Sequence, residues 1–183
     1  MSQLKLTADS GGGTVAIKAP ASTTGNSAFE LTLPGSGNRG LGKILQVVST
    51  NNTTQVSTNN TSLSSPTDSG MSVTLTPSST SSKILVMINA SIRGDGSAYV
   101  NALIKRNGTL IDYSSCSDDG ILDYAINTGP GNSSWNFYDT PNSTSALTYG
   151  FFFTRYGGSG TAYFNNNGNH YSLSTMTAME IAA

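Results

Sequence analysis

Lys83-Ile84-Leu85-Val86-Met87-Ile88-Asn89-Ala90-Ser91-Ile92 decides the fold class. Ile84, Val86, Ile88, Ala90 and Ile92 recur at every second position. A period of two is the repeat of a strand, because successive side chains leave the backbone on opposite sides. Leu85 and Met87 occupy the alternate register, so this strand is expected to be partly covered on both faces. The same period continues outward. Met71, Val73 and Leu75 alternate with Ser72, Thr74 and Thr76, and Pro77 ends that run. Leu103 to Ile111 brackets Asn107-Gly108, a pair that tolerates the two positive φ angles of a tight hairpin turn. Tyr149, Phe151 and Phe153 share one face of a further strand, with Phe152 and Tyr156 on the other.

No stretch carries a helical apolar period, so a parallel sheet with crossover helices is excluded. Ile44 to Val48, Trp135 to Tyr138, Gly160 to Phe164 and Ser172 to Ile181 complete a series of about eight to ten strands, at spacings that suit an antiparallel β-sandwich or jelly roll. Residues 49–70 are almost wholly Ser, Thr and Asn and read as a surface excursion. The fold class is therefore all-β, with a sandwich over residues 42–183.

Residues 1–41 read differently. Leu4 and Leu6, then Val15 and Ile17, then Phe29, Leu31 and Leu33 form three short alternating groups separated by Gly-, Ser- and Thr-rich turns. Two or three apolar side chains per segment cannot enclose a core. An arm of this kind must trimerise, dock on its own domain or lie on another protein. Pro34 to Gly40 reads as the linker that follows it.

Composition narrows function. Ser, Thr and Asn supply 68 of 183 residues, and charged residues make up 10%, where about 25% is usual. A net charge of −1 excludes binding of nucleic acid through bulk charge. No apolar run approaches the length that spans a bilayer, so membrane insertion is not expected. With one His and one Cys, a His-ligated metal site lacks partners, and no cofactor motif is present. Asp112, Asp118, Asp119 and Asp123 match no EF-hand spacing and read as a solvated loop. His170 stands without a nucleophile motif, so no catalytic residue is assigned and no enzymatic activity is expected. Trp135, Phe137 and Tyr138 sit in a polar, Gly-rich setting. They would suit a sugar or a protein contact; Trp135 reads equally as a core residue.

The second faces of two strands raise the question of a partner. Phe152 and Tyr156 on one, and Met176, Ala178 and Glu180 on the other, are the candidate subunit interface, since aromatic residues and Met favour such surfaces. Loops or the arm are the other possible cover.

The segments Gly12 to Thr23, Phe29 to Pro34, Gly37 to Val48 and Ser174 to Ile181 resemble fibre-like virion proteins of tailed phages, notably phages of cyanobacteria. The resemblance covers roughly the first 50 residues and the last ten. It implies a homotrimeric virion protein, made in the host cytoplasm, whose jelly roll is like that of tumour necrosis factor or complement C1q, with the C-terminal strand near the threefold axis. The arm would then hold the protein to capsid or tail proteins. A short tail fibre or capsid head fibre is the leading expectation, with host-surface glycans as a possible ligand. A capsid cement protein or a lectin-like module are the alternatives. The chain departs from long tail fibres in lacking a repetitive shaft.

Overall fold

The structure is a computed structural model, and it describes residues 3–7, 14–18, 44–111, 122–124, 131–167 and 170–183. The chain divides into two units, residues 1–37 and 38–183. In the first, β1 (Gln3–Thr7) pairs antiparallel with β2 (Thr14–Lys18), and the register opposes Leu4 to Ile17 and Leu6 to Val15. Phe29, Leu31 and Leu33 lie outside the described residues.

The second unit is an antiparallel sandwich without helices among its described residues. Its strands are β3 (Ile44–Asn52), β4 (Val56–Thr58), β5 (Thr67–Leu75), β6 (Lys83–Gly94), β7 (Tyr99–Arg106), β8 (Thr109–Leu110), β9 (Leu122–Tyr124), β10 (Gly131–Asp139), β11 (Leu147–Tyr156), β12 (Ala162–Phe164), β13 (Asn166–Asn167), β14 (His170–Tyr171) and β15 (Ser174–Ile181). In the first sheet β15 lies between β3 and β6, and β10 takes the other edge of β6. In the second, β11 lies between β5 and β7, with β9 on the far side of β7. Setting the short additions aside, the strands in chain order are β3, β5, β6, β7, β9, β10, β11 and β15. The first sheet then runs first-eighth-third-sixth and the second runs second-seventh-fourth-fifth. That is the connectivity of a jelly roll, two Greek keys folded face to face.

The period-two pattern places the core as the sequence predicts for β6 and β11. Ile84, Val86, Ile88, Ala90 and Ile92 are buried from one sheet, and Tyr149, Phe151 and Phe153 from the other. Phe151 stands 5.8 Å from the Trp135 ring and 5.7 Å from Phe164. Asn107 (φ 51°) and Gly108 (φ 80°) form the tight turn between β7 and β8. The polar excursion after Ile44 is shorter than its composition suggests. β3 runs on to Asn52, and β5 starts at Thr67. Gly70 at φ 73° turns the chain there. The Ser69 hydroxyl donates to Phe151 O at 2.6 Å, so a buried serine continues the pairing past a shift of register.

Two polar clusters tie separate elements. The Arg106 guanidinium donates to both carboxylate oxygens of Asp139, at 2.8 and 2.6 Å, and Tyr149 OH donates to the same group at 2.7 Å. β7 and β11 of one sheet are thereby joined to the end of β10 in the other.

The second cluster surrounds Glu180, 1% exposed. Its Oε1 accepts from Ser78 N–H, Ser78 Oγ and Ser82 Oγ, each at 2.7 Å, and its Oε2 accepts from Gln46 Nε2 at 2.6 Å. Burial alone would raise this carboxyl. The bonds from Gln46, Ser78 and Ser82 outweigh burial and hold it at about 2, below the ordinary 4.5. A depressed folded value stabilises fully above the unfolded one and is lost as the group protonates. The contribution of Glu180 is thus complete above about pH 4.5 and falls away toward pH 2. Urea unfolding followed across that window is expected to show a steeper loss for the native chain than for Glu180→Gln. Equal slopes would mean that the carboxylate does not fasten the Ser78–Ser82 connection.

Candidate functional site

The outer face of the first sheet is built from alternate residues of four strands. Register sets Val47 beside Met179, Met179 beside Leu85 and Leu85 beside Tyr138, a continuous row across β3, β15, β6 and β10. Val47 is 54% and Tyr138 53% exposed, and Met179 and Leu85 between them are half-buried. The next row holds Ser49, Thr177, Met87 and Asn136, with the Ser49 and Thr177 hydroxyls 2.9 Å apart. A third row is wholly polar: Asn51, Thr175, Asn89 and Ser134. Exposed Ile44 and Leu45 extend the apolar end at the start of β3.

The face is therefore graded, apolar at one end and hydroxyl- and amide-bearing at the other. It carries Lys83, whose Nζ donates to Thr140 Oγ1 at 3.2 Å, and no carboxylate among these rows. Large apolar side chains with Met and Tyr, few charges and a polar margin make up the composition of a protein–protein contact. A face of this kind can shed water against another protein.

The residues expected to form the subunit interface do not converge. Met176 and Ala178 are fully buried in the subunit's own core, and Glu180 is buried among its serine partners. This corrects the assignment of these three to an outer face. Met179 and Ile181, on the alternate register, face outward instead. Hydrogen bonds from Ser78, Ser82 and Gln46 make the buried carboxylate tolerable, and the whole register is the reverse. Phe152 and Tyr156 are on the outer face of the second sheet. Phe152 is half-buried under Lys105 Nζ, 4.8 Å from its ring centroid, and a Cβ at Gly150 would come within 2.9 Å of the same ring. Tyr156, 43% exposed, stands opposite Tyr99.

The aromatic ligand surface also needs correction. Trp135 points inward and packs on the core, and Phe137 is buried. Tyr138 alone points out, because alternation splits adjacent residues between core and solvent. Met87 and Leu85 were visible in sequence as a second apolar register; Val47 and Met179 had no signal beyond their type.

Among the described residues no group of three or more His, Cys, Asp or Glu could hold a metal. Cys116, Asp112, Asp118 and Asp119 lie outside them.

No protein-family model matches the chain, and no curated protein matches it. Solved structures similar to it come from infectious bursal disease virus. The VP2 subviral particle gives a TM-score of 0.39 at 15% identity, over 75% of this chain and 37% of that one. The Gx strain structure gives 0.40 at 14% identity, over 93% and 46%. The chain spans less than half the length of each.

Proposed function

We propose that the chain is a non-enzymatic structural protein of a virus particle, a homotrimeric short tail fibre or capsid head fibre displayed on the particle surface. The jelly roll is its projecting knob, and residues 1–41 attach it to capsid or tail proteins. The observation that carries this reading is the apolar row Val47, Met179, Leu85 and Tyr138 on the outer face of the first sheet, with the C-terminal strand β15 inside that sheet. The occupant is a second copy of the chain. The resemblance of residues 12–23, 29–34, 37–48 and 174–181 to fibre-like phage proteins implies a trimer with this strand near its axis, and a face whose rows hold no carboxylate and whose one cation is Lys83 brings few like charges together when copies meet. Self-association through it would leave the opposite sheet and the loops at the ends of the sandwich outward. Phe137 is buried and Trp135 is half-buried against the core, so of the three aromatic residues Tyr138 alone faces out.

Deletion of residues 1–41 tests the attachment role. The truncated chain is expected to keep its far-ultraviolet circular dichroism band and its self-association, and to fail to join particles that lack the protein when mixed with them. Particles completed by the truncated chain would rule out anchoring through the arm.

A further inference from the structure

We infer that Asn107 is a conditional modification site, held as the amide by the closed hairpin and converted to aspartate or isoaspartate when β7 and β8 open. An Asn followed by Gly is the pair most exposed to this chemistry, because glycine leaves its own nitrogen unshielded. Gly108 N loses its proton to solvent and attacks Asn107 Cγ. The bond from Cγ to the side-chain nitrogen breaks, ammonia leaves and a succinimide ring remains. Water then opens the ring at either carbonyl, giving aspartate or isoaspartate.

Three features of the fold oppose the first step. Asn107 is in the left-handed conformation at φ 51°, for which ψ is near +47°. That angle places Gly108 N nearly opposite Asn107 Cβ about the Cα–C bond, the wrong side for ring closure. The side chain is also engaged. Its Oδ1 accepts Thr148 N–H at 2.8 Å and its Nδ2 donates to Ala146 O at 3.4 Å. Finally, Asn107 N–H donates to Thr148 O at 2.8 Å, so the residue extends the pairing of β7 with β11 by one rung. The amide oxygen stands where a backbone carbonyl would otherwise accept. Ring closure must break the turn and this rung together. Isoaspartate adds a methylene to the backbone at 107, and a chain so altered cannot restore the rung to Thr148. The modification is therefore controlled by opening and, once made, opposes reclosing.

Peptide mapping by mass spectrometry after incubation at mildly alkaline pH tests this on the full chain. Asn107 is expected to convert at least roughly tenfold more slowly in the native protein than in the chain unfolded in urea, since only the open fraction reacts. Hydrogen exchange at Thr148 N–H should be slow in the fresh protein and fast in protein first aged in urea and then refolded. Equal conversion rates in native and unfolded chains would overturn the inference. So would conversion in native protein whose Thr148 N–H stays protected, because the ring would then close within the intact turn.

Discussion

Phe151→Asp is expected to leave no folded subunit. Phe151 is fully buried at the centre of β11, opposite Met71 on β5 and Ile104 on β7. Its ring lies between Trp135 and Phe164. A carboxylate there would have no cation within the core. Burying an unpaired charge costs several kcal/mol at least, comparable with the roughly 5–15 kcal/mol that holds a domain together. Far-ultraviolet circular dichroism and urea unfolding would read the loss. One residue along, Phe152→Asp should cost far less. Its side chain is half-exposed, and Lys105 already stands over the position. A cooperative unfolding transition in Phe151→Asp at the native midpoint would mean that β11 does not pack as described.

Met179→Glu is expected to turn the assembly into single chains without unfolding them. Met179 sits between Val47 and Leu85 on the outer face. Its inward neighbours Ala178 and Glu180 would keep their places, so the subunit keeps its core. In the proposed trimer each copy would bring one carboxylate into a contact with no acidic or basic partner nearby other than Lys83. Each such group costs several kcal/mol when it loses water, and the cost repeats in every copy. Sedimentation velocity should show a monomer with an unchanged circular dichroism spectrum. Phe152→Asp is the matched control and should still assemble. If Phe152→Asp dissociates and Met179→Glu does not, self-association runs through the second sheet instead.

How far the sequence could be read follows from what each pattern reports. β6 and β11 were legible because five and three apolar residues repeat with period two and outnumber Leu85 and Met87, or Phe152 and Tyr156, on the alternate register. The Asn107-Gly108 turn was legible because its backbone angles restrict residue choice. β15 was misread because both of its faces carry apolar groups. The deciding group, Glu180, depends on Ser78 and Ser82, about a hundred residues earlier in the chain. β10 was seen only as Trp135 to Tyr138, since Gly131 to Ser134 show no apolar alternation. Those four residues are strand because the β6 backbone from Asn89 to Ile92 pairs with them. The outer row was illegible for a different reason. Val47, Leu85, Tyr138 and Met179 are single residues on four strands, and they become neighbours only once the jelly-roll order brings β3, β15, β6 and β10 side by side. The connectivity that creates the face is a property of the whole chain, whereas periodicity reports on one strand at a time.

The molar mass of the purified native chain, taken by light scattering across a micromolar concentration series, tests the proposed assembly most directly. The account predicts a mass about three times the 18.9 kDa of one chain, unchanged on dilution and unchanged in Phe152→Asp. A mass of 18.9 kDa throughout the series would contradict it and leave the apolar outer face for a different partner.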